Sequence, residues 1–198
     1  MTSAILHLAS SSSRRAELLR ALGISFTARG VNIDETPLVG EAIDNMVLRL
    51  AEAKARAAAN VCLTPVLGSD TAVALEGNIL GKPASMHDAL HMLSRLSGRC
   101  HQVLTAVVLI AGDRVLRDLS VTSVRFREIP PDEARQYWDS GESAGKAGGY
   151  AIQGIGGVFV ESISGSYTGV VGLPVFQTAR LLQRAGIPIL PALICEGI

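Results

Sequence analysis

Residues 101–128 read HQVLTAVVLIAGDRVLRDLSVTSVRFRE: two β-rich runs, His101–Ile110 and Arg114–Glu128, about a short Ala111-Gly112-Asp113 turn. Branched and aliphatic residues on both sides of a Gly-Asp turn are hairpin chemistry, so the two runs are predicted to pair antiparallel. Upstream, Pro65–Leu75 is a third β run, and Glu76-Gly77-Asn78 turns it into a short return strand, Ile79-Leu80, which Gly81-Lys82-Pro83 stops. Helical signals fall between these runs. Ile43, Met46, Val47, Leu50 and Lys54 recur at helical spacing between about Glu41 and Asn60, which puts Lys54 on an apolar stripe. Ser85 with Asp88 resembles a capping box for a helix that turns Ala89, Leu90, Leu93 and Leu96 inward and ends at Gly98. Farther out, Ala4–Ala9 reads as a buried strand, and Ser10–Ser13 offers caps for a helix over Arg14–Leu22 that Gly23 closes. Pro130-Pro131-Asp132-Glu133 opens a helix through Tyr137 and Trp138, and the last helix spans Pro174 to about Ala185, before a Pro-containing tail. Alternating helices and strands predict an α/β fold.

The chain has 198 residues, of which 48% are hydrophobic, and its 18 Lys and Arg balance its 18 Asp and Glu. At this length one domain, 1–198, is expected, with no repeat or linker to divide it. A neutral chain without a basic block is not built to displace counterions from nucleic acid or an anionic membrane, so any anion it takes must be small and locally caged. The longest apolar run, Val103–Ala111, is far short of the roughly 20 residues that a membrane span needs. Met1–Ala9 has no cationic lead, so no cleaved signal is expected. Cys62, Cys100 and Cys195 are odd in number and lack CxxC spacing, which argues against a disulfide framework or zinc knuckle and for the reducing cytoplasm.

Several residue types stand where apolar periodicity does not call for them. Ser10-Ser11-Ser12-Ser13 followed by Arg14-Arg15 at a helix start offers amides, hydroxyls and two guanidinium forks to phosphate oxygens; an N-cap with a solvated arginine pair is the structural alternative. Gly68-Ser69-Asp70-Thr71 puts a carboxylate inside an apolar β run, where it needs partners unless it lies in a solvated strand-end turn. Lys54 on its stripe poses the same question with opposite sign, unless it snorkels to solvent. Lys82 is a cation on backbone fixed by Gly81 and Pro83. Gly77–Lys82 and Gly141–Lys146 both miss the P-loop pattern. His87 and His91 stand one turn apart, but a helix with Leu90, Leu93 and Leu96 inward turns them to solvent, away from a metal role. Gly165-Ser166-Tyr167-Thr168-Gly169 has tyrosine where a nucleophilic serine would stand. Ten of the 20 glycines lie between Gly141 and Gly172, where unusual backbone angles or a close approach to a ligand are expected.

Taken in order, Leu8–Arg15, Ile33-Asp34-Glu35, Lys54-Ala55, Gly68–Thr71, Gly81-Lys82-Pro83, Ser97-Gly98-Arg99, Lys146–Gly154, Gly165-Ser166-Tyr167 and Val171–Pro174 resemble the Maf family of nucleoside triphosphate pyrophosphatases, also called septum-formation inhibitor Maf. Ser13 departs from the family's usual proline and Ala53 from a frequent acid. The resemblance implies an α/β domain like that of inosine triphosphate pyrophosphatases, a mixed twisted sheet flanked by helices with a cleft between two lobes. It implies hydrolysis between the α and β phosphates of a nucleoside triphosphate with help from Mg²⁺ or Mn²⁺, and a homodimer. Asp70 and Glu35 are then the acids that hold the metal and direct water, in roles that could be exchanged, and Lys54 and Lys82 complete the catalytic set. Ser10, Arg14 and Arg15 hold substrate. The Thr71 and Gln153 pair resembles the dTTP/UTP branch, whereas Gln and Glu at these places mark the 7-methyl-GTP branch. A neutral amide, donor and acceptor at once, suits a uracil or thymine edge. The family's name also leaves open a non-catalytic, nucleotide-binding regulator of septum formation.

Overall fold

The computed structural model describes residues 4–189, so Cys195 and the end of the Pro-containing tail lie outside the described residues. The elements in chain order are β1 (Leu6–Leu8), α1 (Ser13–Ala21), β2 (Phe26–Ala28), α2 (Ile43–Ala59), β3 (Val66–Leu75), β4 (Asn78–Leu80), α3 (Met86–Leu96), β5 (Cys100–Ala111), β6 (Arg114–Phe126), α4 (Pro131–Asp139), β7 (Val160–Ser164), α5 (Tyr167–Val171) and α6 (Val175–Arg184). Two 3₁₀ turns, Ala147–Gly149 and Ile155–Phe159, shape the Gly-rich region.

The strands form one mixed seven-stranded sheet in the order β2-β1-β3-β5-β6-β7, with β4 also on β3. β1 runs parallel to both its neighbours, and the remaining pairs are antiparallel. The expected hairpin is β5–β6, but Ala111 pairs with Arg114, so the turn is Gly112-Asp113, one residue tighter than the sequence suggested. Gly112 takes φ 59°, the left-handed region open to glycine. Sequence reading did not anticipate β2 or β7. Phe26–Ala28 is too short to show a period, and β7 follows a glycine run that masks its pattern. The strand expected over Ala4–Ala9 contracts to Leu6–Leu8.

β3 organises the core because it is covered on both faces. On one face, Val66, Ala72 and Ala74 pack with Leu104, Ala106 and Val108 under the Met46, Val47, Leu50, Ala51, Ala55 and Ala58 stripe of α2. On the other face Leu67 joins α1 and α6 through Leu19, Leu181 and Leu182, whereas Val73 and Leu75 join α3 and α4 through Leu93, Leu96 and Tyr137. Alanines on α2 let it lie close to the strand. At the tightest point a Cβ on Gly68 would overlap the Ala51 carbonyl oxygen and stand 2.9 Å from the Ala55 nitrogen. Lys54 is carried on that same turn of helix.

His101, 2% exposed, places Nε2 2.8 Å from the Tyr150 hydroxyl, with its ring edge-on to Phe126 at 4.8 Å between centroids. Burial pushes its pKa down to about 4. The unfolded chain takes up that proton near the ordinary value of 6.5. The associated stability is therefore complete above about pH 6.5 and is lost as the pH falls toward 4.

Two predictions follow from this packing. Gly68→Ala forces α2 away from β3 and lowers unfolding free energy by about 1–3 kcal/mol in urea titration, the usual cost of overpacking. His101→Gln, which cannot titrate, shows a smaller fall in melting temperature than the native chain between pH 6.5 and 4, followed by circular dichroism.

Candidate active site

One edge of β3 is paired with β5 over Val66–Ala74. The other edge is shared: β1 covers Val66 and Leu67, β4 covers Val73–Leu75, and residues 68–72 between them are uncovered. β1 and β4 run toward each other, so the segments leaving them, Ala9-Ser10 and Gly81-Lys82, arrive at this gap from opposite ends. Neighbouring strand residues point to opposite faces, and Asp70 and Thr71 do so here. Both still line one cavity, because it wraps around the uncovered edge.

That cavity, of 650 Å³, is lined by Ser10, Arg14, Arg15, Glu35, Lys54, Asp70, Thr71, Lys82 and Gln153. All nine site residues singled out in the sequence therefore share one hollow. Asp70 lies in mid-strand, opposite Ala106 and 8% exposed, not in a solvated strand-end turn. Its Oδ1 accepts a hydrogen bond from Lys54 Nζ at 2.6 Å, and the same ammonium is 2.6 Å from Glu35 Oε1. Lys54 therefore does not snorkel to solvent; its apolar stem runs along the α2 stripe and its charge ends between two acids. The Lys54 hydrogen bond is the main reason that the Glu35 carboxyl lies below its ordinary pKa.

Arg15 is a link between elements. Its Nε donates to the Gly172 carbonyl at 2.8 Å, Nη2 to Thr71 Oγ1 at 3.2 Å and Nη1 to Ser10 Oγ at 3.4 Å. Thr71 and Thr105 hydroxyls are 3.0 Å apart, and Thr105 is 2.8 Å from the Gly169 carbonyl, which can only accept. Thr105 has one proton to give, so Thr71 becomes the donor between the two hydroxyls. The resulting chain, Arg15 to Thr71 to Thr105 to Gly169, forms a polar seam between the two apolar clusters on this face. Burial lowers the Arg15 pKa while Asp70 opposes that shift. Ser12, not Ser10, caps α1, accepting from the Arg15 amide at 3.4 Å.

Arg14, Lys146, Tyr150 and Gln153 also line the cavity. Burial depresses the pKa of both Arg14 and Lys146, and Arg14 lowers that of Lys146 further. Sequence reasoning met Lys146 in a string that misses the P-loop pattern and inside a matching motif, without assigning it to the site; its signal was a cation among glycines. Among the described residues no carboxylate forms a salt bridge with Arg14, Arg15, Lys82 or Lys146. The lining has five cations, Arg14, Arg15, Lys54, Lys82 and Lys146, against two acids, Glu35 and Asp70. A surplus of three positive charges is thus concentrated in one hollow of a chain whose formal charge is zero. Such a hollow attracts a polyanion.

Two carboxylates are also suitable ligands for a hard divalent cation. Among the described residues no cluster of three or more His, Cys, Asp or Glu forms a self-sufficient metal site. Glu35 and Asp70 offer oxygen donors to an ion that completes its shell with water and ligand phosphate, which is how Mg²⁺ is commonly held. His87 and His91 are solvent-exposed on α3, as their spacing against the leucines implied. Cys62 and Cys100 are free thiols. No helix of the described residues is long and apolar enough to cross a membrane.

A family model described as "Maf-like protein" matches residues 5–185. A protein of Pseudoalteromonas translucida (strain TAC 125) named dTTP/UTP pyrophosphatase is 51% identical over 185 residues, which are 92% of this chain and 97% of that one. Proteins of the same name from Saccharophagus degradans and Methylococcus capsulatus are each 48% identical, covering 94% and 91% of this chain and 91% and 90% of their own. Among solved structures, a HAM1 protein from Coxiella burnetii overlaps 63% of this chain and 74% of its own, with a TM-score of 0.45 and 22% identity.

If the charge surplus governs binding, Lys54→Met weakens the affinity for inorganic tripolyphosphate about tenfold or more, because it removes a cation and leaves two acids unpaired in the hollow. Titration calorimetry reads this directly, and an unchanged affinity would remove the charge surplus as the basis of anion binding.

Proposed function

The chain belongs to the Maf-like protein family, and from that premise we propose that it is a hydrolase that cuts dTTP and UTP between the α and β phosphates, releasing the monophosphate and pyrophosphate. The observation that carries the reading is the surplus of three positive charges around Glu35 and Asp70, its cations drawn from four separate segments of a chain neutral as a whole. A triphosphate of roughly four negative charges, with a partly neutralising metal, fits that surplus.

The chemistry needs a water on the α-phosphorus and charge stabilisation on the departing pyrophosphate. Asp70 is the base in this reading: it takes a proton from the attacking water as the new P–O bond forms and the bridging α–β P–O bond breaks. Lys54 holds that carboxylate in place, and Lys82, Arg14 and Arg15 stabilise the charge that builds up on the leaving oxygens. Ser10 donates to phosphate oxygen through its hydroxyl. Glu35 and Asp70 would hold a divalent cation, Mg²⁺ or Mn²⁺, which when bound neutralises phosphate charge. Gln153 makes no side-chain hydrogen bond among the described residues, so its amide is available to the O4 and N3–H edge of a pyrimidine. Thr71, with its hydroxyl engaged by Arg15 and Thr105, acts on selectivity by holding the Arg15 fork. A homodimer belongs to the same reading by resemblance, and a cytoplasmic setting by the cysteine usage.

Asp70→Asn keeps the shape of the site and removes the base. Pyrophosphate release from dTTP with Mg²⁺ is expected to fall about 100- to 10,000-fold, the range for losing a general base. Calorimetric binding of a non-hydrolysable dTTP analogue should persist. Orthophosphate as the first product, or turnover unchanged in Asp70→Asn, would overturn the reading.

A further inference from the structure

Gln153 sits at the tip of a turn, Ala151 to Gly154, closed by the Gly154 amide on the Ala151 carbonyl at 3.2 Å. A four-residue turn that ends on glycine does not hold a side chain still by itself. Two residues outside the cavity lining clamp both of its flanks. Tyr137, buried at the end of α4, accepts the Ala151 amide at 3.1 Å on its hydroxyl oxygen and donates to Glu142 Oε2 at 2.8 Å. Glu142 accepts the Ile155 amide at 2.9 Å on Oε1 and the Gly156 amide at 2.8 Å on Oε2. The glycines are fitted to this clamp. A Cβ on Gly154 would overlap the Glu142 carboxylate, and one on Gly156 would stand 2.7 Å from the Tyr137 hydroxyl.

We infer that Tyr137 and Glu142 are positioning residues for base recognition: they bracket the Ala151–Gly156 segment from both sides and thereby set the direction in which the Gln153 amide meets the pyrimidine. The inference rests on Gln153 reading the base. Both groups hold the protonation state that the clamp requires. The hydrogen bonds to Glu142 keep its carboxyl below the usual range despite the opposing effect of burial. The Tyr137 phenol, raised by burial, stays a neutral donor. The Tyr137 ring also packs edge-on to Phe159 at 5.2 Å, which fixes its hydroxyl from behind. Arg14, Arg15, Lys54 and Lys82 take no part in these hydrogen bonds, so the geometry that the clamp fixes is that of the nucleoside end; the Glu142 charge also acts on Lys146, an effect that the neutral Tyr137→Phe avoids.

The test compares dTTP with inorganic tripolyphosphate, which has the charge and no base. Glu142→Gln turns an amide NH₂ toward a backbone N–H. Tyr137→Phe keeps the ring on Phe159 and deletes only the hydroxyl, so it serves if Glu142→Gln does not fold. Each is expected to raise KM for dTTP about tenfold with kcat little changed, in the range expected for a misplaced positioning group. The inhibition constant of tripolyphosphate should stay the same in Tyr137→Phe, which changes no charge, and should not weaken in Glu142→Gln, which removes an acid that acts on Lys146. In a Gln153→Ala background neither substitution should raise KM further. Equal weakening of tripolyphosphate, or effects that multiply in the double variant, would overturn the inference. So would Gln153→Ala raising KM while Glu142→Gln and Tyr137→Phe leave it unchanged, and that result would leave the base-reading role of Gln153 standing. If instead Gln153→Ala itself leaves KM for dTTP unchanged, the role assigned to Gln153 fails, and the clamp inference with it.

Discussion

An ammonium 2.6 Å from each of two carboxylates, with Lys54 and Asp70 side chains both only 12% exposed, is the contact on which the rest of the site depends. Charges removed from water are costly unless paired, and breaking such a pair by removing one partner generally costs about 3–5 kcal/mol. The pairing tethers α2 to β3 at the point where Gly68 allows the backbones to touch, and it anchors Glu35 from a stretch without regular structure. Fold and chemistry meet there. The side chain that pairs with Asp70 also holds the helix against the sheet.

The sheet's own geometry creates the cavity. Two short strands, β1 and β4, divide one edge of β3 and leave five residues between them unpaired. An uncovered edge within a sheet is normally a liability, since its amides and carbonyls invite another strand. Here it is enclosed by the serine-rich loop, the Lys82 turn and the Gly-rich segment, and the space left is a hollow lined by cations. Because the hollow reaches around the edge, consecutive residues Asp70 and Thr71 serve it from opposite faces, one tied to Lys54 and the other to Arg15. The hollow is thus bounded both by the β3 edge and by the turn that carries Gln153.

The sequence by itself determined the long elements and the identity of the unusual residues. The α2 stripe, the β3 run, the β5–β6 hairpin and the Ser85 cap were all legible because their periods or end signals extend over many residues. Asp70 and Lys54 were legible as polar groups set in apolar patterns, and Arg14, Arg15, Lys82 and Gln153 through ordered motifs, since the chemistry of a side chain is local information. Short elements were not. Phe26–Ala28 has three residues, too few to show alternation, and β7 and α5 are interleaved with glycines whose angles depend on their neighbours. Only the tertiary structure decided which polar residues touch. Lys54 meets Glu35 across 19 residues of sequence and Asp70 across 16, Arg15 reaches Gly172 over 157, and Glu142 meets Ile155 and Gly156 in a clamp that no local pattern announces. Spacing along a chain reports which face of an element a residue occupies; the partner that face meets is set by how separate elements pack, and that information is non-local.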